Sequence, residues 1–188
     1  TLDNAVKISG TADDVTAALV TTDSKVVAGH TGTIANVTTT VTAEQGAGYT
    51  TINNVNATFS SGVEDSTANL TKNATEISDN LDTITNFDTS TDITITDADY
   101  DSTNNDNSVL ATRLSAIGNA TTGTVTVTNA VRVEGSQAQV TEALVTTDSL
   151  VEVSDASVKI TDADFNANTN NVTLSLIHIS EPTRLSLI

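Results

Sequence analysis

The chain has 188 residues, with 7 Lys+Arg against 24 Asp+Glu, a formal net charge of −17 and a sequence pI of about 4.1. That acidity argues against a nucleic-acid partner, which needs a basic footprint. The absence of cysteine excludes disulfides, thiolate metal sites and cysteine nucleophiles. No apolar run reaches the ~18 residues of a membrane span, nothing reads as a signal peptide, and the lack of methionine leads us to expect a piece of a longer reading frame.

Composition points toward strands. Thr accounts for 37 residues, and Thr and Val favour extended backbone, while the many Asn and Asp favour turns. The only aromatics are Tyr49, Phe59, Phe87, Tyr100 and Phe165, so a thin core of Val, Ile, Leu and Ala is expected.

In chain order, Thr11-x-x-Asp14 matches a capping box, and Val15, Ala18 and Leu19 follow at helical spacing. Ile77, Leu81 and Ile84 predict a short helix over 75–84. Leu110, Leu114 and Ile117 predict another over 108–117, stopped by Gly118. From Thr124 to Val133, Val125, Val127, Val131 and Val133 share one face of an alternating run, which predicts a half-buried strand ended by Gly135. Ser136-x-x-Gln139 is a second capping box before Val140, Ala143 and Leu144, and Asp148-Ser149 closes that helix. A strand with Val151 and Val153 follows. The phase then slips to Val158 and Ile160, which predicts a turn or bulge at 154–156.

The chain repeats itself. Residues 4–28 and 129–153 are identical at 14 of 25 positions, with an offset of 125. Ile95-Thr-Asp-Ala-Asp-Tyr100 matches Ile160-Thr-Asp-Ala-Asp-Phe165 at an offset of 65, and Asn56-Ala-Thr58 matches Asn119-Ala-Thr121 at 63. These offsets give units of 62–65 residues, roughly 1–65, 66–125 and 126–173. Strand, helix and strand with about a dozen residues between them is the spacing of a parallel crossover. The expected fold is therefore a β-rich repeat, a parallel β-solenoid-like stack with short helices. The alternative is an antiparallel β-sandwich.

Residues 174–188 stand apart. Leu174–Arg184 reads Leu-Ser-Leu-Ile-His-Ile-Ser-Glu-Pro-Thr-Arg and then restarts as Leu-Ser-Leu-Ile. The string resembles a translated sequencing adapter, so His178 is recruited to no site. The repeats resemble those of very large secreted or cell-surface bacterial proteins, in particular cyanobacterial haemolysin-like proteins. The residues that carry the resemblance are Val-x-Val/Ile-x-Gly-Thr/Ser, Val-Thr-x-Ala-Leu and the Ile-Thr-Asp-Ala-Asp loops. The stretch from Ile84 to Ile95 is similar to sequence near the calcium-binding repeats of secreted toxins, although the glycine-rich nonapeptide of that family is absent. The resemblance implies an extracellular or cell-surface location.

One constellation carries chemistry. Asp97, Asp99 and Asp101 alternate, and Asp162, Asp164 and Asn166 repeat the pattern. Alternating oxygen ligands suit calcium, which takes six to eight oxygens. Against this, position six of the loop is Ser102 rather than Gly, and position twelve is Ser108 rather than Glu. The competing reading is that these Asp residues end a strand, cap the next helix and keep the surface wet. His30 has no partner motif, Asp13 and Asp14 fit a helix first turn, and no hydrolase, metalloprotease, P-loop or dinucleotide fingerprint occurs. The sequence therefore points to a non-enzymatic, structural or adhesive repeat segment. Its expected partners are neighbouring repeats of the same chain and a surface or matrix ligand. The alternative is a calcium-binding module.

Overall fold

The computed structural model describes residues 1–21, 23–24, 26–104, 107–146 and 151–162. Asp164, Asn166, Asp148-Ser149 and the 174–188 tail lie outside the described residues. The chain runs through β1 (Lys7–Gly10), α1 (Ala12–Leu19), β2 (Thr33–Val37), α2 (Ala43–Thr50), β3 (Val55–Phe59) and β4 (Val63–Asp65). It continues through α3 (Thr67–Leu70), α4 (Asp79–Phe87), β5 (Ile93–Ile95), β6 (Ser108–Leu110) and α5 (Ala111–Gly118). The last described elements are β7 (Val125–Val127), β8 (Val131–Gly135), α6 (Gln137–Leu144), β9 (Val151–Val153) and β10 (Ala156–Ile160).

A Ser or Thr turns extended backbone into helix at most of these joins. Thr11, Thr42 and Ser136 form capping boxes with Asp14, Gln45 and Gln139, and Ser66 and Ser78 accept the amides of Asn69 and Leu81. Each box satisfies two of the amides that a helix start leaves unbonded. The boxes at Thr11 and Ser136 sit where the sequence places them. The two near-twin stretches take the same strand–cap–helix form, β1–α1 and β8–α6.

All strand pairs within the sheets are parallel. The strand orders are β1-β2-β3, β4-β5-β7-β9 and β10-β8-β6. In the four-stranded sheet the strands start at Val63, Ile93, Val125 and Val151, steps of 30, 32 and 26 residues. Two such steps span 62 residues from β4 to β7 and 58 from β5 to β9.

The solenoid-like expectation is overturned, and the antiparallel sandwich with it. The protein is a mixed α/β fold of three small parallel sheets and six helices among the described residues. Composition misled because Thr is used here largely as a hydrogen-bonding side chain. The Thr71 and Thr85 hydroxyls donate to the carbonyls four residues back, Thr121 donates to Thr91 O at 2.6 Å, and Thr11 and Thr42 are caps. The strands are only three to five residues long, and helices fill the connections.

Boundaries moved for local reasons. The predicted 124–133 strand divides into β7 and β8, and the chain changes sheets at Thr128–Ala130. The phase slip after Val153 is a second change of sheet, from β9 to β10. The 108–117 helix starts only at Ala111, because β6 pairs with β8, and Leu110 is 40% exposed. The 75–84 helix starts at Asp79, because Ser78 caps it and Ile77 bridges Thr71.

The core is one cluster dominated by Val, Ile, Leu and Ala. Leu81, Ile84, Ile93, Ile95, Leu114 and Ile117 are fully buried, each contributing roughly 1.5–3 kcal/mol relative to exposure. Helix α2 has no clear apolar stripe in sequence and contains Gly46 and Gly48. A Cβ on Gly46 would stand 2.7 Å from Ile84 Cδ1, so the glycine allows α2 to approach α4. Tyr49 anchors the other side of α2: its buried hydroxyl donates to Ala12 O at 2.7 Å and pairs with Thr16 Oγ1 at 2.6 Å. At the β3–β4 turn, Gly62 has φ +76, and a Cβ there would meet Asp92 O at 2.5 Å.

Candidate functional site

The acidic residues singled out by the sequence are largely spent on backbone amides. Asp97 lies two residues beyond the end of β5. Its Oδ2 accepts Thr67 N at 2.8 Å and its Oδ1 accepts the Thr67 hydroxyl at 2.9 Å. Thr67 is the first residue of α3, so its amide is one that the helix itself leaves unbonded. Asp162 Oδ2 accepts Gln137 N, the first residue of α6, at 2.5 Å. Asp65 Oδ2 accepts Ala43 N, the first residue of α2, at 3.1 Å. Thr39 Oγ1 does the same for Ala12, the first residue of α1, at 3.0 Å. In each case a side chain at the end of, or just after, a later strand closes the start of an earlier helix. The positive end of the helix dipole favours a carboxylate there, and a charge-assisted bond is stronger than a neutral one.

The loop after Asp97 is clipped to the corner between β7 and β8. Asp99 Oδ1 accepts Ala130 N at 2.9 Å, Tyr100 N donates to Ala130 O at 2.7 Å, and Asn129 Nδ2 donates to Asp97 O at 2.7 Å. Asn107, at φ 62, donates its side-chain amide to Asp99 O at 3.2 Å. Asp101 is turned onto its own loop. It accepts Asn104 Nδ2 at 2.6 Å and the amides of Thr103 and Asn104 at 2.8 and 3.3 Å. These bonds, the Asn104 side chain foremost, hold the Asp101 carboxyl below the usual carboxylate range.

Asp97, Asp99 and Asp101 therefore address three different sets of donors. The structure does not bring them together as a ligand set, and no group of three or more His, Cys, Asp or Glu suited to a metal occurs among the described residues. Asp162 is spent on Gln137, while Asp164 and Asn166 lie outside the described residues. His30 is exposed, its Nδ1 2.6 Å from Thr31 O.

Sequence reasoning missed a polar cluster on the β6–β8–β10 sheet. The Arg132 guanidinium lies 4.2 Å over the Tyr100 ring and donates to the Tyr100 hydroxyl. It also donates to Ser108 Oγ, from Nε at 3.0 Å and from Nη2 at 2.7 Å. Glu134 stands 3.5 Å from Arg132 Nη2 and accepts Lys159 Nζ at 2.8 Å. The Lys159 hydrogen bond, aided by both cations and opposed by desolvation, lowers the Glu134 pKa. Strand register explains the meeting: Ser108 and Ser157 lie opposite Arg132, and Lys159 lies opposite Glu134. Alternation places Arg132 and Glu134 on one face of β8, but the sequence does not show which strands flank it.

Two grooves lie elsewhere among the described residues. One, of about 470 Å³, is lined by Lys72, Glu76, Asp79, Asp82 and Asn119 among others, with Lys72 and Asp79 3.8 Å apart and exposed. The other, of about 210 Å³, lies beside the Asp65 cap, against Thr42, Glu44 and Asn69. Among the described residues no helix is long and apolar enough to cross a membrane. Comparison with protein-family models, with curated proteins and with solved structures gives no match.

Proposed function

We propose that the chain is a structural, adhesive-type segment of a secreted or surface-anchored bacterial protein, and that its acidic side chains tie successive stretches of the polypeptide together. The observation that supports this most directly is the recurring cap. Asp65, Asp97 and Asp162 each bond the first amide of a helix belonging to the preceding strand–helix stretch. Carboxylates used in this way are architectural, and each adds a directional link between segments that apolar packing alone leaves free to slide. The surface location rests on the resemblance carried by the repeats. The polar faces of the sheets and the high negative charge keep such a segment soluble and apart from its own copies.

Thermal unfolding with and without millimolar calcium tests the reading. The architectural role gives equal midpoints in calcium and in chelator. A calcium-dependent rise that vanishes when Asp97, Asp99 and Asp101 are all changed to Asn would replace it with a calcium-binding module.

A further inference from the structure

The near-twin stretches differ in what covers them. Strand β8 is flanked on both sides, by β6 and by β10, whereas β1 is, among the described residues, the end strand of its sheet and pairs only with β2. Burial follows this difference. Val131 and Val133 are buried in β8, while Val6 and Ile8, their counterparts at the 125-residue offset, are only half-buried. Ala143 of α6, the helix that packs on α5, is buried, and its counterpart Ala18 is half-buried. The same sequence thus has a covered face in one copy and an open one in the other.

The residues that receive the cover are conserved between the copies. Asn129 and Ala130 hold the Asp97–Tyr100 loop through the Asn side chain and the Ala amide and carbonyl. Asn4 and Ala5 are the same two residues at the same register, and both are exposed. Arg132, the cation under Tyr100, is matched by Lys7, which is also exposed.

We propose that the open face formed by residues 4–10 and α1 docks an acidic loop followed by a Ser-Val strand and a Leu-x-x-Ile helix, the pattern that Asp97–Gly118 presents to β8 and α6. The strand adds in parallel to the free edge of β1, as β6 adds to β8, with Val109 opposite Val133 as the template for a Val opposite Ile8. This deepens the architectural reading and rests on it, but the two fail separately: loss of docking here leaves the Asp162–Gln137 link intact.

The test adds a synthetic peptide of residues 93–120 to the full chain and reads amide hydrogen exchange. Docking slows exchange in β1 and α1 at least tenfold. The effect is lost in Ile8→Asp and reduced in Asn4→Ala, an exposed position whose change leaves folding intact by circular dichroism. Absence of protection in β1 and α1, or protection confined to another edge, would overturn the proposal. Protection that rises with protein concentration without peptide would assign the face to a second copy and overturn it too.

Discussion

Asp162 stands to Gln137 as Asp97 stands to Thr67: each carboxylate accepts the first amide of a helix that lies earlier in the chain, at 2.5 and 2.8 Å. The two Asp residues belong to the same Ile-Thr-Asp-Ala-Asp motif yet follow strands of different sheets. What the motif preserves is therefore the cap rather than membership of one sheet.

Removing these caps should cost stability. Asp97→Ala and Asp162→Ala are each expected to lose about 0.5–2 kcal/mol, the usual range for an N-terminal cap. Asp97→Ala should lose more, because Asp97 also accepts the Thr67 hydroxyl. Urea unfolding of both variants checks the size and the order.

Gly46→Ala separates helix propensity from packing. Propensity alone would stabilise α2 by about 1 kcal/mol. The 2.7 Å approach of the new Cβ to Ile84 Cδ1 reverses the sign, and overpacking of this kind costs about 1–3 kcal/mol. Adding Ile84→Val removes the clashing methyl, so the double variant should be more stable than the sum of the two single changes. A double-mutant cycle in denaturant measures the coupling.

Tyr49 should shape the alkaline limb of stability. Burial is the main cause of its raised pKa; the Asp13 charge adds to it, and the Thr16 hydrogen bond opposes it. A group whose pKa is raised on folding contributes stability that is whole below its unfolded value, about 10, and is lost as pH climbs through the folded value. The wild type is thus expected to weaken above about pH 10, and Tyr49→Phe should lack that limb. At neutral pH the variant loses about 1 kcal/mol for the missing bond to Ala12 O. Unfolding midpoints across alkaline pH decide it.

The acid limb has the opposite sign. Glu134 and Asp88 have lowered pKa values, Glu134 chiefly through the Lys159 hydrogen bond and Asp88 through the Ser90 side chain. Their contribution is present above the ordinary carboxylate range, about 4, and falls away as pH drops through the lower folded values. Both groups are accessible to solvent, so Glu134→Gln should cost under about 1 kcal/mol at pH 7 and should flatten the acid limb between its ordinary value and the lowered one. A pH series of urea midpoints for the variant and the wild type tests this.

Much of the local code was legible, because it depends on short-range chemistry. The boxes at Thr11 and Ser136 and the helices they start are set by residues three apart. Thr42-x-x-Gln45 carried the same signal but preceded Gly46 and Gly48, whose purpose emerges only when Ile84 is placed against them. The sheets were not legible. From Val125 to Val133 the alternation keeps its phase, and only Asn129, polar on the apolar face, interrupts it at the Thr128–Ala130 corner where the chain leaves one sheet for another. The acidic loop was readable as loop. Its use depended on an amide some thirty residues upstream, at Thr67, and no spacing rule reaches that far.

The most direct measurement is residue-resolved amide exchange at Thr67 and Gln137 in the wild type and in Asp97→Ala and Asp162→Ala. Architectural caps predict that each variant exposes its own amide, Thr67 in the first and Gln137 in the second, and that calcium changes neither in the wild type. Exchange at both amides that ignores the substitutions, or that quickens when calcium draws the carboxylates away, would contradict the claim that these acids bind the chain to itself.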